Sequence, residues 1–481
     1  MIHLPRFSMT LHPRGNGGMG RSAPLGSLRA ERTEIDQITQ ITQIKMITIC
    51  CHVKIARIQF GLIFSSPLLM KPANAVTTTP AAIHLAMLIN MLSMGSMMMV
   101  MPLGPDLVIS LGMQPEQTGY FSGGATLGAA LMGLIAAPWL DSVNRKPALL
   151  VLLTLRFLLL MACALVQNSQ QLLMLFILSG CVAGPLSAIL MAAVLDLVPP
   201  DERGRRLAYV GMAFSLAAIL IVPIALILAQ WLGWQSPFLL FGAGGLLLAL
   251  LCALLLPSLP VTRSPQGSGL RQLLGSPLCQ GALLILSLQM FGHFLLIPHF
   301  ANYFQFNLAF PREQIAALYL CGGLASMATM RLCGGWIDQG RALAAILITS
   351  LLLALITLLG FAAPVGVPVY LLFTLFMALS SARSSTTLAI TAAIPAPHQR
   401  AAFMSFQGTV TNVAAGLGSL ISARYLFSDS TGALHGFAGL AWINIACSLL
   451  ACGGVWLLLK GLAQTRNNNN PASGTARQGS Q

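Results

Sequence analysis

Two sets of residues in this 481-residue chain have types and spacings that could do chemistry. The first set is charged and lies in short polar breaks between long apolar runs. Asp141, Arg145 and Lys146 share one break, Asp196 and Arg203 flank a second, Asp338 and Arg341 a third, and Arg400 closes a fourth. Asp141 and Asp338 stand 197 residues apart, and the same offset separates Pro200 from Pro397 and Arg203 from Arg400. Charged side chains in such breaks can pair in one packing of a molecule and separate in another, which is the work of a gate. The second set lies inside the apolar runs: Asn90 with Ser93, Gln289 with His293, and Arg383 among Ser380, Ser381, Ser384 and Thr387. An ionisable group within such a run is a functional candidate by default, because burying its charge is expensive. His293 could titrate near neutral pH and carry a proton; an interior histidine that is hydrogen-bonded and never changes charge reads equally well. Arg156 has no partner that the sequence can name and reads as pointing at lipid headgroups or a neighbouring helix; Arg331 precedes Asp338 by two helical turns, where snorkelling or bracing of that aspartate reads as well as substrate contact.

Catalytic signatures are missing from both sets. There is no HExxH, Walker A or GxSxG pattern in a suitable context, and no Cys/His spacing that resembles a zinc site. No cofactor or metal is expected, and an enzyme is disfavoured. Eight of the ten cysteines fall in apolar runs, where a thiol acts as a small hydrophobe.

The elements that must position these residues follow from composition. With 56% hydrophobic and 8% charged residues, the chain falls among polytopic membrane proteins. Windows of about 20 residues give twelve spans: 81–101, 119–140, 147–166, 171–197, 207–232 and 237–256, then 277–300, 314–337, 342–361, 369–391, 402–426 and 434–459. They should be helices, since lipid-exposed backbone must satisfy its own polar groups and no strand alternation is present. The 197-residue offset reads as one six-helix unit written twice. The expected organisation is residues 80–258 as a first bundle, 259–276 as a Pro/Gly/Ser-bearing linker and 277–460 as a second bundle. Residues 461–481 read as a disordered tail. Residues 1–79 read as an unstructured extension, or as sequence ahead of a natural start at Met70; their apolar stretch near 58–70 is too short to span.

The formal charge of +14 would suggest nucleic acid in a soluble chain, but placement decides its meaning. Of the 26 Lys and Arg residues, only Arg312 and Arg424 fall on the side opposite the N-terminus, and Arg156, Arg331 and Arg383 fall within spans. Such asymmetry predicts both termini in the cytoplasm of a multi-pass inner-membrane protein. A basic face against anionic lipid needs no nucleic-acid partner.

The loops carry a resemblance. Ala137-Pro138-Trp139-Leu140-Asp141-Ser142-Val143-Asn144-Arg145-Lys146 is similar to the GxxxD(R/K)xGR(R/K) loop of the major facilitator superfamily. Gly334-Gly335-Trp336-Ile337-Asp338-Gln339-Gly340-Arg341 echoes it after span 8. The stretch from Asp196 through Pro199, Pro200, Asp201, Glu202 and Arg203 to Arg205, the stretch Pro397-His398-Gln399-Arg400, and Gly233-Trp234-Gln235-Ser236-Pro237-Phe238 resemble its arabinose-efflux and drug-antiporter branch. Ala137, Ser142 and Asn144 depart from the loop pattern, and Ile221 and Ala225 stand where antiporters of this branch show glycines.

The resemblance implies a secondary transporter with two pseudo-symmetric six-helix bundles that moves a small organic solute by alternating access, most simply as efflux. Whether protons drive it is open, and an uncoupled facilitator or a non-transporting membrane sensor on the same fold are the alternatives. A monomer is expected. Under it, Asp141 would sit at the positive N-terminus of span 11 and Asp338 at that of span 5, each latching one bundle to the other, with Arg145, Lys146 and Asp196 forming a breakable network. Spans 1, 4, 7 and 10 would line a central cavity, making Asn90, Ser93, Gln289, His293 and Arg383 its candidate residues. An acid-free, Met-rich interior suits neutral or lipophilic solutes better than multivalent cations, whose desolvation no buried carboxylate would offset.

Overall fold

Proline, glycine and apolar length set where each helix begins, bends and stops. The computed structural model describes residues 80–140, 143–199, 202–256, 275–395 and 400–468. Residues 1–79, 257–274 and 469–481 and Asp141 lie outside the described residues, as do the side chains of Arg203 and Arg400, while residues 461–468, expected in a disordered tail, continue the last helix. Span 1 is the helix Pro80–Met98, which breaks at a turn around Pro102 and resumes as Gly104–Leu111. Proline lacks the N–H that a continuous helix would need there. Span 5 contains a π turn at Ala217–Ile221 directly before Val222–Leu232. Pro223 in that following turn cannot donate to the carbonyl four residues back, and the widened turn absorbs the mismatch. Span 7 runs as Pro277–Leu296, tightens to a 3-10 turn at Ile297–His299 around Pro298, and ends in a second π turn at Tyr303–Asn307.

The remaining spans are Thr118–Leu140, Arg145–Ala162, Ser169–Leu197, Gln235–Leu255, Arg312–Asp338, Ala342–Thr357, Val369–Ala392, Arg400–Tyr425 and Phe437–Asn468. Among the described residues, ten helices are long and apolar enough to cross a membrane by themselves. Spans 10 and 11 are the two more polar members, diluted by Ser380, Ser381, Ser384, Thr386 and Thr387 in one and by Gln407, Thr409, Thr411 and Asn412 in the other. The protein is an all-α membrane protein with a twelve-helix fold. Many large apolar side chains, among them Ile135, Leu165, Leu254 and Leu450, point outward, as a lipid solvent permits.

Packing repeats with the sequence. In the first half span 2 lies on span 4, span 3 on spans 4 and 6, and span 1 on spans 5 and 6; in the second, span 8 lies on 10, span 9 on 10 and 12, and span 7 on 11 and 12. The halves meet where span 2 crosses span 11 and span 5 crosses span 8, two contacts that exchange under the repeat. Glycine makes the closest approaches possible. A Cβ at Gly180 of span 4 would lie 2.6 Å from Ala125 Cα of span 2, and one at Gly123 of span 2 would lie 2.8 Å from the Gly416 carbonyl oxygen of span 11.

Spans 11 and 12 are joined by a short hairpin in which Phe427–Ser428 pairs antiparallel with Leu434–His435. Asn307 brackets it, donating to the Leu434 carbonyl and accepting from the Leu434 N–H, both at 2.9 Å. Asp429 closes the turn. The Thr431 hydroxyl, then His435 and the Thr431 N–H, hold its carboxyl well below the usual carboxylate range.

Candidate functional site

Charged and polar side chains gather at three levels: the end carrying the loop motifs, the opposite end, and the interior. At the motif end Arg145 opens span 3 and is buried. Its Nε donates to Asp196 Oδ2 at 3.3 Å and its Nη1 to the Leu140 carbonyl at 2.7 Å, so one guanidinium ties together the ends of spans 2, 3 and 4. Lys146 is not part of this network: half-buried at the helix start, it makes no ion pair among the described residues. Glu202 instead holds Arg206 at 3.1 Å and Arg205 at 3.4 Å along span 5, a local pairing outside the expected set.

Asp338 and Arg341 are both exposed and enter no ion pair among the described residues, and a Cβ at Gly334, Gly335 or Gly340 would meet open space. Arg331 is likewise exposed and does not brace Asp338.

At the opposite end the halves are locked together. Arg312 of span 8 donates through Nε to Asp106 Oδ1 at 2.7 Å and through Nη2 to Asp106 Oδ2 at 2.5 Å, a bidentate pair with span 1. The same Nη2 reaches the Leu226 carbonyl of span 5 at 3.3 Å. Asn302 of span 7 donates to the Pro115 carbonyl at 2.7 Å and to Thr118 Oγ1 at 2.9 Å, and Ser122 of span 2 meets Ser419 of span 11 at 3.3 Å. Nearby, fully buried His299 meets Ser422 within the second half at 2.9 Å. Sequence reasoning used Arg312 only as a marker of topology. The signal was available: a basic residue and an acid, each rare in its surroundings, expected at the same membrane face.

In the interior the expected cavity residues prove to be tied within their own halves. Asn90 donates to the Val210 carbonyl of span 5 at 3.1 Å, and the Ser93 carbonyl accepts from Arg156 at 3.2 Å. Both are buried, so they do not line an open cavity in this conformation. Arg156 neither faces lipid nor lacks a partner. Fully buried, it also donates to Ser96 Oγ at 3.0 Å and to Ser179 Oγ, linking spans 1, 3 and 4. Those contacts lie 23 to 63 residues away along the chain, beyond reach of any local pattern.

The second half has its own cluster. Gln289 of span 7 donates to Thr387 Oγ1 of span 10 at 2.8 Å, and His293 Nδ1 meets Ser380 Oγ at 2.8 Å. The His293 ring stacks on Phe376 with centroids 5.6 Å apart. Arg383, 1% exposed, donates to Ser448 Oγ of span 12 at 2.6 Å. Gln289 and Arg383 are therefore closed off here, while His293 is half-buried between spans 7 and 10. Behind it Phe300, Phe304, Phe361, Phe373 and Phe376 stack into a continuous aromatic block that stiffens this half. Among the described residues no group of His, Cys, Asp and Glu could hold a metal ion.

Two helical bundles, a polar lock at one end and a parted charge motif at the other define a carrier-type membrane fold. The sequence profile of the Major Facilitator Superfamily matches residues 86–382, and the chain belongs to that superfamily. A probable sugar efflux transporter of Helicobacter acinonychis is 30% identical over 152 residues, covering 32% of this chain and 39% of the relative. Another, from Pasteurella multocida, is 24% identical over 273 residues, covering 56% of this chain and 65% of the relative. Each match spans less than two thirds of the relative's length. Among solved structures, a D-xylose-proton symporter superposes with a TM-score of 0.62 at 15% identity, covering 78% of this chain and 96% of its own. A bacterial homologue of the human lysosomal transporter Spinster, inward-facing and occupied, gives 0.63 at 16% identity, covering 80% and 98%.

Proposed function

We propose that the protein is a secondary carrier that exports a small organic solute from the cytoplasm by rocking its two bundles, residues 80–258 and 277–460, about a central site. The observation that carries this reading is a contrast between the ends: hydrogen bonds and an ion pair join the halves at the Asp106 end, while Asp338 and Arg341 are exposed at the other and a Cβ at Gly334 or Gly335 would meet open space. One end closed and one end parted is the geometry of an alternating-access intermediate. The bias of Lys and Arg toward the N-terminal side supports a cytoplasmic assignment for the exposed end, and on that assignment this conformation faces inward. The names of the relatives, probable sugar efflux transporters, favour a sugar or sugar-like solute.

In the outward-open state the Asp106–Arg312 pair would part and the motif end would close, with Asp338 meeting the start of span 5 and Asp141 that of span 11. Arg203 and Arg400 open those two helices in the sequence. The described acids, Asp106, Glu116, Asp196, Glu202, Glu313, Asp338 and Asp429, all lie toward helix ends or in loops. A proton would accordingly be carried by His293, or exchange would run without one. The test is counterflow in proteoliposomes holding the full chain, with arabinose, amino acids and lipophilic drugs, with and without a pH gradient. Saturable exchange of one solute class supports the carrier, and stimulation by the gradient supports coupling. Absence of exchange across the whole panel overturns the transport reading.

A further inference from the structure

Two positive charges are fully enclosed by this protein, one in each half, and neither meets a carboxylate. Arg156 has three acceptors, since hydroxyls and a carbonyl from spans 1 and 4 accept from both of its terminal nitrogens, although its buried Nε, like that of Arg383, has no partner. That arrangement is a structural tie. Arg383 is poorer. Ser448 Oγ is its one side-chain acceptor among the hydrogen bonds of the described residues, and its buried Nε has no partner.

The hydroxyls one turn to either side of Arg383 are engaged elsewhere. Ser380, one turn before it on span 10, shares its hydroxyl with His293 Nδ1 at 2.8 Å. Thr387, one turn after it, donates to the Arg383 carbonyl at 3.0 Å and accepts from Gln289 Nε2 at 2.8 Å. Gln289 Oε1, by contrast, is a buried acceptor with nothing to receive. The packing of spans 7, 10 and 12 thus holds a guanidinium without a counter-charge and an amide oxygen without a donor. Burying an unpaired cation in a membrane is costly, and such groups persist where a counter-charge arrives.

We propose that the transported solute carries a carboxylate or phosphate together with hydroxyl groups, as a sugar acid or sugar phosphate does, and that Arg383 receives the anionic group while Gln289 Oε1 accepts from a hydroxyl. This rests on the carrier reading and narrows its substrate class. Since Arg383 is 1% exposed in this conformation, the solute reaches it only when the helices around it part, so binding and occlusion coincide.

Counterflow of radiolabelled gluconate, glucose 6-phosphate and arabinose into proteoliposomes tests the assignment in the wild type, Arg383→Gln and Arg383→Lys. The expected result is exchange of gluconate or glucose 6-phosphate in preference to arabinose, reduced about ten- to a hundredfold in Arg383→Gln and partly kept in Arg383→Lys. Should Arg383→Gln fail to insert, the wild type decides through competition: gluconate or glucose 6-phosphate must inhibit exchange of the other and raise the melting temperature in detergent, whereas glucose must not. Exchange of arabinose with neither anion bound nor moved overturns the anionic assignment and leaves the carrier standing. Absence of exchange of all three solutes overturns the assignment and counts against the carrier reading as well. Undiminished anion exchange by Arg383→Gln overturns the role of Arg383.

Discussion

Replacing Asp106 by Asn should open the end of the molecule that this structure shows closed. The carboxylate accepts two charge-assisted bonds from Arg312, at 2.7 and 2.5 Å, and the side chains of the pair are only 18% and 15% exposed. Removing one member of a buried charged pair costs about 2–5 kcal/mol, chiefly because the other charge is left unmatched. With both side chains touching solvent, about 2 kcal/mol is the sensible figure. At about 1.4 kcal/mol per tenfold, the ratio of open to closed molecules at that end rises roughly thirtyfold, so a state held at about 1% would reach about a quarter. Ser110 and Ser430 are exposed near that end, one in each half, and suit spin labels in a variant without its native cysteines. Pulsed dipolar spectroscopy should show a second, longer distance in Asp106→Asn and in Arg312→Gln. The doubly exchanged Asp106→Arg, Arg312→Asp protein should return toward the short distance. Distance distributions that stay identical to wild type in both single variants would refute the lock.

Other consequences are open to simpler measurements. Gly180→Val should lower stability by about 1–3 kcal/mol through overpacking, because even a Cβ at that position lies 2.5 Å from the Ala125 carbonyl oxygen; an unchanged melting temperature in detergent counts against the close contact of spans 2 and 4. Ser179→Ala takes one acceptor from enclosed Arg156 and should cost about 1.5–3 kcal/mol, read as a lower melting temperature without loss of membrane insertion. In the hairpin, the Asp429 carboxyl is held below its ordinary value, so its stabilising contribution is present above the unfolded pKa and is lost only as pH falls through the lower folded value. A spin label at Ser430 should therefore stay ordered through about pH 4, where a free carboxyl would be half protonated. Mobility that rises at that pH shows that Asp429 does not hold the turn.

Some of the site was legible because it was local or repeated. Asp196 and Arg145 occupy the polar breaks next to spans 3 and 4, and a charged break between apolar helices has few places to go, so their pairing could be anticipated. Gly124, Gly128, Gly180 and Gly184 carry the small-residue spacing of close helix packing, and they sit where spans 2 and 4 touch. The Asp106–Arg312 pair spans 206 residues and the Asn302–Thr118 bond 184. The sequence put Asp106 and Arg312 at the same membrane face, but which helix ends meet there depends on how the bundles pack. Asn90 and Ser93 failed as cavity residues for a related reason. Their helix is apolar nearly all round, so nothing in it marks which face turns toward span 5 and which toward the centre.

The number, length and helical character of the spans, the duplication and the bias of basic charge were fixed by the amino-acid order itself, since a bilayer demands apolar length and internal hydrogen bonding from every segment independently. Only the packed molecule decided that Arg156 is a tie and Arg383 an unmet charge, and that one end is locked while the other stands parted. Those outcomes depend on the rotation of each helix about its axis, and in lipid an apolar face turned outward is as well solvated as one turned inward.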